Sequence, residues 1–262
     1  MIPKLQFDLL EPYKHQINHF ITTRTGGMSQ PPFNTLNLGN IDKDRLEDVL
    51  ANRQIVKEIL GCERLFVGEQ KHTNTVAVVK EEHLPSLIEE ENPFPETDGI
   101  ITNVKNIGLL TLAADCTPII LFDPQKQVIG VVHSGWKGTE LKILSVALQK
   151  MVDEFESEAK DILVCFGPSI KKESYEIGED VIELFKNAYP EIVDEVILPH
   201  PIEGKAFLNI EAAQLAQCNA FNIPSENIQF LPFDTYTDHR FYSARKAAPM
   251  ETGRFGGVIV LR

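Results

Sequence analysis

One thiol and two imidazoles are the side chains of this sequence best suited to chemistry. Cys116 stands in A-D-C-T-P-I, where a polar corner opens into a β-branched run, and His133 ends the run V-I-G-V-V-H just before S-G-W-K-G. His72 lies upstream in E-Q-K-H-T-N, beside another strand-like run. A thiolate and two imidazoles suit a zinc ion, and three protein ligands leave the fourth tetrahedral position open, as in catalytic rather than structural zinc. The spacings, 44 residues from His72 to Cys116 and 17 from Cys116 to His133, are not those of a finger or ribbon. Such a site has to be assembled in three dimensions. The same atoms admit a rival reading, with Cys116 as nucleophile and His133 as its base, oriented by a polar third residue, in a thiol hydrolase or amidase. No local cysteine-protease signature accompanies it, and the second histidine has a role only in the metal reading. Asp115, beside Cys116, is a candidate catalytic proton carrier or an orienting group for the ligand.

These residues need strand ends to hold them, and the sequence supplies strands. N-H-F-I-T-T-R ends at Arg24 before a T-G-G turn; R-L-F-V-G and T-V-A-V-V-K flank His72; G-I-I-T-N, I-G-L-L-T-L-A, T-P-I-I-L-F and V-I-G-V-V-H follow within a short span. Together they predict a central sheet with short connections. D-I-L-V-C-F, N-I-Q-F-L and G-V-I-V-L are further strands, and Cys165 in the first of them reads as a core residue. Helices are expected over 44–60, with Leu46, Val49, Leu50, Ile55 and Leu60 inward and Gly61 as cap, and over 137–155, with Leu141, Leu144, Ala147 and Met151 in its stripe. The N-terminus of the second would bring orphan N–H groups near His133, a place for an anion. G-E-D-V-I-E-L-F-K-N-A-Y and I-E-A-A-Q-L-A-Q-C-N-A-F are two more amphipathic helices, whereas E-E-E-N-P-F-P-E-T-D reads as a solvated loop without function. The fold class is α/β in the mixed α+β sense, a layered sandwich with a mixed β-sheet core flanked by helices, in one domain over residues 1–262.

A formal charge of −13 over 262 residues argues against nucleic acid and anionic membranes as partners, since no Lys/Arg cluster opposes the global field. Any anionic substrate has to be met by a few cations inside a pocket. The N-terminal M-I-P-K-L-Q-F-D-L-L-E-P does not resemble a secretory signal, no run approaches the roughly 18 apolar residues of a membrane span, and four dispersed cysteines form no disulfide framework. Cytoplasmic localisation is the expectation; the oligomeric state is not legible.

The chain resembles the YfiH-like family, long called multicopper polyphenol oxidase or laccase domain proteins and now described as purine nucleoside phosphorylases. The resemblance runs from T-T-R-T-G-G through A-D-C-T-P-I, H-S-G-W-K-G-T, G-P-S-I and Y-E-I-G-E-D-V to F-Y-S-A-R-K and T-G-R. It implies that His72, Cys116 and His133 are zinc ligands and that the substrates are purine nucleosides and phosphate. It further implies phosphorolysis of adenosine, inosine, guanosine and methylthioadenosine, with hydrolytic deamination of adenosine. Zinc can lower the pKa of its water to about 7, which suits attack on carbon 6 of adenine. For phosphate and the ribosyl cation, Arg24, Lys137 and Arg245 are the candidates, and Asn40 and Asn74 for ribose or base. Two departures are visible. The family's Q-V-H-G is Q-K-H-T here, and a cysteine common before the late Thr-Tyr pair is Asp234, which argues against a required role for that position. The alternatives are a copper-binding polyphenol oxidase, for which seven histidines are few, and a cysteine-dependent amidase acting on peptidoglycan precursors.

Overall fold

The computed structural model describes residues 2–39, 43–86, 94–247 and 252–262. Two mixed sheets lie face to face. The first has the order β1 (Lys4–Leu5), β2 (Ile17–Thr22), β14 (Phe255–Leu261), β6 (Ile107–Ala113), β3 (Arg64–Val67). The second runs β13 (Ile228–Phe230), β9 (Leu163–Phe166), β7 (Thr117–Asp123), β8 (Val128–Ser134), β5 (Gly99–Thr102), β4 (Val76–Val79). The β-rich runs expected to share one sheet therefore divide between two.

Alternation along the strands explains the layering, because successive side chains leave a strand on opposite faces. On β7, Ile120 and Phe122 enter the core between the sheets while Ile119 and Leu121 enter a second core. On β8, Ile129 and Val131 go with the former and Val128 and Val132 with the latter. Helix α3 (Ile143–Phe155) covers that second core with Ile143, Leu144, Ala147, Leu148 and Met151. Helix α1 (Leu46–Leu60) covers the outer face of the first sheet, packing Val56 and Leu60 on Phe20, Leu110 and Val258. The result is a helix–sheet–sheet–helix stack, the layered α/β class expected. A third, three-stranded sheet, β10 (Glu176–Gly178), β12 (Lys205–Leu208), β11 (Ile197–Pro199), packs with α4 (Glu179–Ala188), α5 (Val193–Val196) and α6 (Ile210–Ala220). Its strands are too short to have signalled in the sequence. No helix among the described residues is long and apolar enough to cross a membrane.

Two helix expectations change. In α1 the buried face is Val49, Asn52, Val56 and Leu60, ending on Gly61 at φ 77°; Leu46 and Leu50 point outward, at 49% and 48% exposure. The helix expected over 137–155 is broken: α2 (Trp136–Glu140) stops and α3 restarts after Lys142, whose φ of 59° is left-handed. Leu141 is consequently exposed. Only a five-residue helix thus begins beside His133, too short to supply the expected long-helix dipole for an anion. Cys165 is fully buried, as expected, and burial pushes its thiol well up.

Candidate metal centre at the end of the second sheet

Strand order brings the distant ligands together. In β7–β8–β5–β4, the ladder pairs Thr117 with Ser134, Gly99 with Val132 and Val76 with Gly99. The residues just outside these pairs, Cys116 before β7, His133 near the end of β8, Asp98 before β5 and His72 before β4, gather at one sheet end. The ligand atoms of His72, Cys116 and His133 all lie within 4.8 Å of one another. Cys116 Sγ is 3.8 Å from His72 Nε2, and the two imidazoles meet edge to face with centroids 4.9 Å apart. Ligands on a tetrahedral ion with bonds of 2.0–2.3 Å sit roughly 3.5 Å apart, so this donor set can close on a metal ion with small side-chain movements. His72 is exposed while His133 is buried, which leaves the cluster open on one side.

The residue that organises the cluster is Asp98, 2% exposed, in the stretch expected to be a functionless solvated loop. That expectation fails at its C-terminal end: Phe94 packs edge-on against Phe66, and Thr97 is buried too. Residues 87–93 lie outside those described. Asp98 Oδ1 accepts from His133 Nδ1 at 2.8 Å and His72 N at 3.0 Å; Oδ2 accepts from Lys71 N at 3.1 Å, Thr73 N at 2.8 Å and Thr73 Oγ1 at 2.8 Å. Burial pushes its carboxyl up, but hydrogen bonds from His133 and Thr73 and the charge of His133 hold it at about 2. An ionised carboxylate only accepts, so Nδ1 of His133 carries a proton and Nε2 is the ring atom left for a ligand role. The three backbone donors also hold His72 in its left-handed conformation, φ 60°. Gln70 anchors the same loop to β6, giving Nε2–H to Leu112 O at 2.8 Å and accepting Leu112 N–H at 2.7 Å.

Charge is concentrated at the thiol. Burial pushes Cys116 up, but the charge of His133 and hydrogen bonds from His133 and His72 outweigh it and bring the thiol to about 6. Burial lowers His133, and Cys116 and Asp98 overcome this, raising it to about 9. Each group thus favours the charged form of the other, thiolate beside imidazolium, and a metal cation held here would take the place of the Nε2 proton. Gly135 makes room: a Cβ there would lie 2.7 Å from Cys116 Sγ and 3.0 Å from His72 Cδ2.

Asp115 forms the corner where the chain passes from β6 in one sheet to β7 in the other, with φ 83°. Its Oδ1 accepts from Thr235 Oγ1 at 2.7 Å; its Oδ2 accepts from Ser243 Oγ at 3.0 Å and Arg245 N at 2.6 Å. Both oxygens are thus committed to holding the 235–245 segment beside Cys116. Asp234 has a comparable task, accepting Lys171 N–H, the Ser174 hydroxyl at 2.6 Å and Tyr236 N–H.

The remaining sequence candidates do not gather on the cluster, although Arg245 stands beside it through Asp115. Arg245 lies over Tyr175, Cζ to centroid 5.6 Å, and gives Nη1–H to Glu176 O at 2.9 Å. Arg24 is stacked on Tyr242 and lines a cavity together with Ser243. Lys137 is exposed beside Trp136, Asn74 is exposed and donates to Leu141 O at 3.2 Å, and Asn40 lies outside the described residues. Two site neighbours were not singled out from sequence. Tyr175 is pushed up by burial and then by the Cys116 charge; Arg254 is pulled down by burial while the charges of Cys116 and Asp115 oppose this. Arg254 belongs to the T-G-R run, which carried its signal.

A family model described as multi-copper polyphenol oxidoreductase laccase matches residues 18–262. The chain belongs to this YfiH-like family. It is 29% identical to the purine nucleoside phosphorylase of Bacteroides thetaiotaomicron over 98% of its length and 96% of the relative's. It is also 29% identical to adenosine deaminase RL5 of an unknown prokaryotic organism, over 92% of this chain and 93% of that one. The crystal structure of the Bacillus licheniformis protein YfiH superposes with a TM-score of 0.87 at 28% identity, covering 94% of this chain and 93% of that chain. Family membership thus joins the thiolate–imidazole cluster to relatives named for two purine reactions.

Proposed function

We propose that this chain, one domain over residues 1–262, is a cytoplasmic zinc-dependent purine nucleoside phosphorylase with adenosine deaminase activity. The observation that carries the reading is the cluster of His72, Cys116 and His133 at an open sheet end, braced by Asp98. One thiolate and two neutral imidazoles match a catalytic zinc donor set. Bound there, zinc supplies a Lewis acid and makes water acidic enough to serve as a nucleophile near neutral pH. The chain's own residues have distinct tasks. Asp98 keeps the His133 proton on Nδ1 and pins the His72 loop; Gly135 leaves the space; Asp115 fixes the 235–245 segment against the thiolate as a positioning residue. Adenosine, inosine, guanosine and methylthioadenosine are the proposed substrates, with Arg245 and Tyr175 beside the cluster to meet them.

A second reading is favoured by one contact. Asp98, His133 and Cys116 form a carboxylate–imidazole–thiolate line, the order of parts in a thiol hydrolase. His72, placed 3.8 Å from the same sulfur, has no task in that line and favours metal. Copper is the other occupant the donor set accepts, as the family description suggests. Product analysis of adenosine and inosine, with and without phosphate, on protein of measured metal content separates the three. Hypoxanthine with ribose 1-phosphate from inosine only when phosphate is present, and loss of metal and turnover in His133→Ala, are expected. Full turnover by metal-free protein sinks the zinc reading, and phenol oxidation only by copper-loaded protein revives the oxidase.

A further inference from the structure

Helix α2 is the piece of backbone that meets every ligand-bearing segment of the cluster. It follows His133 and Ser134 directly, with Gly135 as its N-cap. A Cβ at Gly135 would lie 2.7 Å from Cys116 Sγ and 3.0 Å from His72 Cδ2, and one at Gly138 would lie 3.2 Å from Thr73 O. Where α2 sits therefore sets the clearance between the thiol and both imidazoles. Its five residues cannot hold that position by their own hydrogen bonds, since isolated helices shorter than roughly 12 residues are marginal in water. The placement has to come from outside.

It comes from α6, which belongs to the small-sheet unit and whose sequence signals only an amphipathic helix. Gln214 and Gln217, 0% and 2% exposed, lie on its buried face. Gln214 Nε2 donates to Ser134 Oγ at 3.0 Å and Ser134 O at 3.3 Å, at the start of α2. Its amide oxygen has no partner among the described residues, so its bonding is directed wholly at Ser134. Gln217 takes the other end and spans the break at Lys142: Nε2 donates to Thr139 O at 3.4 Å and to the Tyr189 hydroxyl at 2.9 Å, while Oε1 accepts Ser145 N–H at 3.0 Å. Tyr189 donates to the same Thr139 O at 2.5 Å, and the Ser134 and Thr139 hydroxyls meet at 2.8 Å. Trp136 packs against the apolar cluster that holds Ile210 and Ala213 of α6. Burying two amides costs free energy unless each finds a specific partner, and apolar side chains would fill the face without that demand. What the amides add is a fixed position for each end of α2. We propose that Gln214 and Gln217 are positioning residues of the His72–Cys116–His133 cluster, through which the small-sheet unit sets the geometry of the metal centre. The effect on metal rests on the zinc reading; the effect on Cys116 does not.

Exchange of either glutamine for methionine keeps the length of the side chain and removes its hydrogen bonds. Gln214→Met and Gln217→Met are expected to hold zinc at least about tenfold more weakly in a competitive chelator titration, the loss typical of groups that orient metal ligands. Both are also expected to broaden and shift the visible absorption of the cobalt(II)-substituted protein, which reports ligand geometry. Val196→Ala opens a cavity in the same apolar cluster and makes none of these hydrogen bonds. It is expected to lower the urea midpoint and leave zinc affinity and cobalt spectrum as in wild type. Should Gln217→Met fail to fold, Gln214→Met decides. Wild-type affinity and spectrum in Gln214→Met, or an equal loss of zinc affinity in Val196→Ala, overturns the proposal. If wild type itself holds no metal, the zinc reading falls, and iodoacetamide on the metal-free protein decides the proposal alone. Cys116, located by peptide mass spectrometry, then alkylates faster in Gln214→Met if the glutamine sets its clearance, and an unchanged rate overturns the proposal.

Discussion

Asp98→Asn removes one charge and turns one acceptor oxygen into a donor, with little change of volume. The wild-type carboxylate takes donors on both oxygens, two at Oδ1 and three at Oδ2. An amide has a single oxygen, so in either orientation its NH2 faces groups that also donate. If NH2 takes the Oδ1 position, His72 N–H is left unpaired, and the imidazole can accept at Nδ1 only by moving its proton to Nε2, the atom needed for metal. If it takes the Oδ2 position, the amides of Lys71 and Thr73 lose their acceptor, while the Thr73 hydroxyl can rotate. One to two buried backbone donors go unsatisfied, at about 1–3 kcal/mol each. A destabilisation of about 3 kcal/mol in urea unfolding of the metal-free protein is expected. Groups that orient metal-bound histidines are typically worth about 10–100-fold in affinity, so zinc should bind at least about tenfold more weakly in a competitive chelator titration. A variant with wild-type zinc affinity and an unchanged urea midpoint would refute the view that Asp98 organises this centre.

Gly135→Ala keeps an ordinary φ of −81° but places a methyl 2.7 Å from Cys116 Sγ, so zinc stoichiometry should fall while circular dichroism stays native. Cys116→Ser exchanges the soft ligand for a hydroxyl, and metal content measured by mass spectrometry should drop at least about tenfold. His19 accepts Phe7 N–H through Nε2, and burial, then the charge of Lys4, lowers it from 6.5 to about 4, with Glu11 opposing. Above pH 6.5 neither state is protonated; between 6.5 and 4 the unfolded chain takes a proton that the fold refuses, so stability falls as pH falls, by about 3 kcal/mol over that window. His19→Gln should flatten this part of the pH dependence of the urea midpoint. Lys142→Gly relieves a left-handed residue at φ 59° and should raise the thermal midpoint by the equivalent of about 1 kcal/mol, less what the contact with Tyr189 contributes.

The strands of the two large sheets were legible wherever a β-branched run is long enough to alternate, and α1, α4 and α6 were legible from apolar spacing. The break at Lys142 was not, because Leu141 and Lys142 are ordinary helix formers and neither residue type marks a left-handed turn. The exposed Leu46 and Leu50 show the same limit: spacing says that a face is apolar, and only the partner layer says which side is buried.

By itself the sequence pointed to the candidate ligand types, since a cysteine and two histidines bordering strands and glycine turns offer a soft, three-donor set with one open position. It also determined that an anion must be met inside a pocket, because the global charge is negative. Tertiary structure alone decided what supports those ligands. Asp98 is 26 residues from His72 and 35 from His133 in an acid- and proline-rich stretch that looks solvated, and it acts only because β5 pairs with β8 in a register that sets it against His133. Arg24 and Lys246 are farther apart still and line one cavity because Asp115, at the corner between the sheets, holds the late segment beside Cys116. Local residue chemistry is written in one dimension, whereas the burial, register and counter-charge that tune it belong to the folded chain.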